Sequence, residues 1–87
     1  MHEKVLMDDL IRKIESEARQ EGGRRVTRIR VRLGALSHFT VGHFREHFED
    51  ASRGTLAEDA EVEAELRSDL TEPDAQGVAL ESIEVAL

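Results

Sequence analysis

From Arg28 to Leu33 the chain alternates without a break: Arg28, Arg30 and Arg32 interleave with Ile29, Val31 and Leu33. Successive side chains of a strand point to opposite faces. This strand therefore has one wholly apolar face and one wholly cationic face. It needs a sheet that is covered on one side and open to water on the other. The spacing predicts a strand over 25–33, ended by Gly34.

A second alternating run spans 61–67, where Glu61, Glu63 and Glu65 interleave with Val62, Ala64 and Leu66. If this strand neighbours the first, arginine faces glutamate across the sheet, and opposite charges pair well there. A third strand is predicted over 78–87, with Ile83, Val85 and Leu87 on one side. The segment Thr71-Glu72-Pro73-Asp74-Ala75-Gln76-Gly77 reads as a turn or short loop.

Two helices can cover the apolar face. Over 3–21, Leu6, Met7, Leu10, Ile11, Ile14 and Ala18 recur at helical spacing. Lys4 with Asp8 and Glu15 with Arg19 form i,i+4 charge pairs on the outside, and Gly22-Gly23 stops the helix. Over 41–53, Val41, Phe44, Phe48 and Ala51 share a face, with Thr40 as N-cap and Gly54 as stop. The order α-β-α-β-β, two helices on a three-stranded sheet, is a two-layer α+β sandwich. The whole of residues 1–87 reads as one domain.

Composition narrows the function. The chain has no cysteine, which excludes a disulfide scaffold, a thiolate zinc site, a CxxC redox pair and a cysteine nucleophile. The only aromatics are Phe39, Phe44 and Phe48, so the core must be mostly aliphatic. The net charge is −7, split unevenly: residues 1–45 carry ten basic and six acidic groups, residues 46–87 two and thirteen. Overall acidity argues against a nucleic-acid partner, and no stacking aromatics interleave with the arginines. No apolar run approaches the roughly 20 residues of a membrane span, and no signal-peptide layout opens the chain. A cytoplasmic protein is expected.

Two constellations could hold a metal. The chain opens Met1-His2-Glu3. The α-amine of Met1, the amide nitrogen of His2 and its imidazole can close adjoining five- and six-membered chelate rings on one ion. An amide nitrogen ligand suits square-planar Ni(II) or Cu(II) rather than tetrahedral Zn(II). The fourth in-plane position stays open for Glu3, another side chain or a partner's ligand, which suits an ion that is to be passed on. Histidine at position 2 is bulky enough to keep the initiator methionine in place. The other constellation is His43-Phe44-Arg45-Glu46-His47, with His38 just before it. His43 and His47 stand i,i+4 on a helix, so one ion can bridge them as an auxiliary site. The string also fits H-x-x-E-H, but a peptidase needs a further ligand and a cleft that so short a chain does not readily supply.

The chain resembles the HypA/HybF family of [NiFe]-hydrogenase nickel-insertion proteins. The likeness runs from Met1-His2-Glu3 through Arg25-Val26-Thr27 and Arg32-Leu33-Gly34-Ala35-Leu36-Ser37. It continues through Phe48-Glu49, Gly54-Thr55-Leu56-Ala57-Glu58 and Ala60-Glu61-Val62-Glu63, and ends at Leu80-Glu81-Ser82-Ile83-Glu84-Val85. The resemblance implies an α/β nickel domain that binds Ni(II) as transient cargo at Met1 and His2, with Glu3 nearby. It implies delivery to the large subunit of a nickel enzyme together with a HypB-like GTPase, and in some bacteria service to urease. One departure is large. The family's zinc domain, with two CxxC pairs, falls between the second and third strands. Here that place holds a short loop near 67–78 without cysteine, and the two strands are expected to form nearly a direct hairpin.

The leading expectation is a zinc-less nickel metallochaperone without catalysis of its own. The alternative is a metal-independent interaction module, a divergent relative serving another metalloenzyme. A metallohydrolase built on His43, Glu46 and His47 is the third. The exposed edge of the last strand leaves a homodimer open.

Overall fold

A computed structural model describes residues 3–35, 37, 39–67 and 77–87. The elements follow in the order α1 (Glu3–Gln20), β1 (Arg25–Leu33), α2 (Val41–Ser52), β2 (Glu61–Leu66) and β3 (Val78–Ala86). This is the α+β sandwich expected from the periodicities. Among the described residues no helix is long and apolar enough to cross a membrane.

α1 buries Met7, Leu10, Ile11, Ile14 and Ala18. It ends because Gly22 takes a left-handed conformation, φ 72°. The Gly23 amide then donates to the Ala18 carbonyl at 2.8 Å and the Gly22 amide to Arg19 at 3.1 Å, so the last carbonyls are satisfied. β1 supplies the floor of the core with Val26, Ile29, Val31 and Leu33, all fully buried. α2 starts at Thr40, whose hydroxyl accepts from the His43 amide at 3.1 Å, and it buries Phe44 and Phe48. Phe39 meets Phe44 edge-on, with ring centroids 5.7 Å apart.

The sheet order is β2-β1-β3. β2 runs parallel to β1, with Arg28 opposite Glu61, Arg30 opposite Glu63 and Arg32 opposite Glu65. β3 runs antiparallel on the other edge of β1. The expected near-hairpin between the second and third strands is therefore wrong: β1 lies between them. α2 carries the chain back to lay β2 parallel to β1, as a parallel pair requires a crossover. That uses one edge of β1 and leaves the other for β3. Charge favours the same order, because β3 beside β2 would bring Glu81 and Glu84 toward a row of glutamates. β2 ends and β3 begins at the C-terminal end of β1. There the Arg67 amide donates to Leu33 at 2.9 Å and the Gly34 amide to Gly77 at 2.9 Å. The rest of the connection from β2 to β3, 68–76, lies outside the described residues, and with it most of the expected loop near 67–78.

Two irregularities keep apolar side chains inward. The β1–β3 register shifts between Val26 and Arg28 and again between Arg30 and Val31. At the first, Thr27 and Arg28 both face outward while Val26 and Ile29 stay buried. At the second, Glu81 is the extra residue, so Leu80 and Ile83 both pack against the core. Leu87, expected to share one side of the third strand with Ile83 and Val85, falls beyond its end and is 81% exposed.

Both helices run antiparallel to β1. Leu56, just past α2, accepts from the Val26 amide at 2.7 Å, and its own amide donates to Glu15 on α1 at 3.2 Å. The end of α2 thus lies at the start of β1. The first turns of α1 and α2 consequently share the opposite end of the molecule with Leu33, Gly34, Arg67 and Gly77.

Candidate metal-binding site

Met1, His2 and His38 lie outside the described residues, and of Glu3 the backbone alone is described, as the first residue of α1. His43 and His47 are placed fully, on the first two turns of α2 and half-buried. One turn of helix separates them, which stacks i and i+4 side chains on one face. Their Nε2 atoms approach to 2.7 Å. The ring centroids stand 4.5 Å apart with planes inclined by 33°. The rings are thus side by side, with their Nε2 corners drawn together. At that distance one Nε2 carries a proton and the other offers its lone pair.

Phe39 holds the pair from one side. Its ring meets His43 edge-on at 5.8 Å between centroids and His47 at 6.3 Å. In the sequence, the spacing 39–43–47 is the signal that the three rings meet. Phe44 and Phe48, on the neighbouring face of α2, fix the helix in the core.

The hydrolase reading finds no support in this geometry. Glu46 points to solvent. Among the described residues no group of three or more metal-type side chains converges. A groove of 480 Å³ between α2 and β2 is lined by Arg45, Phe48, Glu49, Ser52, Asp59, Ala60, Glu61 and Val62, without either histidine.

The outer face of the sheet carries the charge. Arg28 reaches Glu61 at 3.1 Å, Glu63 at 3.4 Å and Glu84 at 3.4 Å. Arg30 meets Glu63 at 3.0 Å, and Arg67 meets Glu65 at 3.0 Å. The hydrogen bond with Glu61, then the charges of Glu61, Glu84 and Glu63, raise Arg28 above its ordinary value. Its guanidinium stays charged at any working pH. Arg28, Arg30 and Arg67 are thus matched by carboxylates within the fold. One expected surface pair proves more than that. Glu15 meets Arg19 at 3.9 Å, but it also caps the Leu56 amide, which ties α1 to the segment after α2.

Comparison with known proteins gives a consistent picture. A family model described as hydrogenase/urease nickel incorporation, metallochaperone, HypA matches residues 1–72. The hydrogenase maturation factor HypA of Methylocella silvestris is 38% identical over 66 residues, covering 76% of this chain and 58% of that protein. The HypA of Chlorobaculum tepidum is 35% identical over 77 residues, covering 88% and 63%. That of Klebsiella pneumoniae is 40% identical over 62 residues, covering 71% and 54%. The chain thus spans somewhat over half the length of these curated relatives. The solution structure of the Ni metallochaperone HypA from Helicobacter pylori superposes with a TM-score of 0.80 at 18% identity, covering 98% of this chain and 97% of that one, a likeness of fold.

Proposed function

The chain belongs to the HypA family of hydrogenase/urease nickel-incorporation proteins, and from that premise we propose that it is a nickel carrier, loading Ni(II) at its N-terminus and handing it to a nickel enzyme. The observation that carries this reading is that the family match begins at residue 1 and so includes Met1-His2-Glu3. The α-amine of Met1 and the amide and imidazole of His2 supply three in-plane nitrogens, the donor set that planar Ni(II) favours. Glu3, the first residue of α1, is near enough in the chain to contribute a carboxylate or to leave the fourth position to the recipient. The ion is cargo: it arrives and leaves, and the protein performs no bond chemistry on it.

The recipient is the large subunit of a nickel enzyme such as [NiFe]-hydrogenase, reached in the cytoplasm with a HypB-like GTPase as co-worker. This member of the family has no cysteine, so its own residues cannot build a thiolate zinc site. A second copy of the chain can pair along an open edge of β2 or β3.

The test compares three proteins: the chain with a free Met1 amine, His2→Ala, and the chain extended by an uncleaved N-terminal tag. The first is expected to develop the visible absorption of planar Ni(II), and the other two to lack it. Equal absorption in all three overturns the chelate. Recipient binding that survives His2→Ala unchanged in nickel-free buffer favours the metal-independent module.

A further inference from the structure

We propose that His43 and His47 form a second Ni(II) site, a pair of imidazoles held on α2 for cis coordination. It is separate from the N-terminal chelate in its ligands, which both belong to α2. The starting observation is the 2.7 Å between the two Nε2 atoms. With metal–nitrogen bonds of about 2.0–2.1 Å, two ligands at a right angle stand about 2.9 Å apart, and two at the tetrahedral angle about 3.4 Å. Planar or octahedral coordination therefore asks the rings to part by only about 0.2 Å, whereas tetrahedral zinc asks for about 0.7 Å. The spacing is nearer the right-angle geometry of Ni(II) and Cu(II) than the tetrahedral geometry of Zn(II).

The rings are prepared for this. They sit one helical turn apart, Phe39 meets both from the same side, and Thr40 caps the turn that carries His43. Binding needs the donating ring to move its proton from Nε2 to Nδ1, so that both Nε2 atoms offer lone pairs. Among the described residues no third metal-type side chain joins them. The site lies at the end of the molecule where α1 also begins.

The experiment titrates Ni(II) into the His2→Ala protein, which removes the N-terminal chelate. One equivalent is expected to bind. Adding His47→Gln is expected to weaken it by about tenfold or more, and any smaller loss overturns the site. Titration of the His2→Ala protein alone, followed by NMR, guards against misfolding of the His47→Gln variant. Paramagnetic Ni(II) is expected to broaden the His43 and His47 ring signals in the His2→Ala protein before any other ring or side chain, and broadening elsewhere first overturns the site. Tighter binding of Zn(II) than of Ni(II) overturns the cis geometry. If the N-terminal chelate alone is wrong, His2→Ala leaves nickel binding unchanged and His47→Gln removes it all, so the two readings fail separately.

Discussion

Gly23 shows how one missing atom positions a strand. A Cβ built on it would lie 2.7 Å from the Val85 Cβ and 3.0 Å from both its γ-carbons. Those atoms belong to β3 and cannot retreat without moving the sheet edge. Gly23→Ala is therefore expected to destabilise the fold by about 1–3 kcal/mol. Gly42 is the opposite case. It sits in the first turn of α2 with nothing within 4 Å of its Cβ position. Gly42→Ala is expected to stabilise by about 0.5–1 kcal/mol, because alanine loses less backbone freedom in a helix. Thermal unfolding of the two variants, followed by circular dichroism, should move in opposite directions. Both glycines of the Gly22-Gly23 pair were legible as a helix stop. The reason for the second was not, because it depends on a strand that arrives some sixty residues later. The same limit applies at His43 and His47. Their spacing announced a shared helix face, but the closing of Nε2 on Nε2 depends on Phe39 packing beside them.

At the level of elements, the strand and helix boundaries were readable to within a residue or so, because each element carries its own period and its own stop. The pairing of the strands was not. Alternation says which side chains share a face, and it is silent on which edge a neighbour takes. The two register shifts in β3 pairing were hidden for a related reason: Val26 and Ile29 lie three apart, which breaks the alternation. The arginine–glutamate ladder between β1 and β2 is where sequence and topology agree best, and it makes a sharp prediction. Glu63 lies between Arg28 and Arg30, at 3.4 and 3.0 Å. Glu63→Lys puts a third cation there. The melting temperature is expected to fall in low salt and to recover largely in about 1 M salt, where the screening length is about 3 Å. A loss that ignores salt would mean that Glu63 acts through packing. Arg28 itself adds no pH response near neutrality. Its value is raised, so its contribution is fully present below the ordinary arginine range and is lost only as pH climbs past it. At the other end of the crossover, Thr40→Ala removes the cap of α2 and is expected to cost about 1 kcal/mol, measurable by chemical denaturation.

Across the whole molecule, the two halves of the chain are electrically unequal but folded through one another. The basic half supplies α1 and β1, and the acidic half supplies the strands on either side of β1. Among the described residues the core is thirteen buried apolar side chains from both helices, β1 and the adjoining turns. Nickel can therefore act on stability only by linkage, that is, by binding the folded chain better than the unfolded one. The two proposed sites differ sharply in this respect. The N-terminal chelate is made by adjacent backbone and side-chain atoms of residues 1 and 2, which an unfolded chain can also bring together. It should bind Ni(II) with little effect on the melting temperature. The His43–His47 pair exists only while α2 is helical and Phe39 is packed, so the folded state alone offers it. With free Ni(II) at about ten times the dissociation constant, linkage gives about 1.4 kcal/mol. For a domain of this size that is a rise on the order of 5–10 °C. Calorimetry with and without Ni(II) is expected to show this rise in the unaltered protein and in His2→Ala. In His47→Gln the rise should vanish while the planar Ni(II) absorption persists. A rise that follows His2 instead would place the folded-state site at the N-terminus.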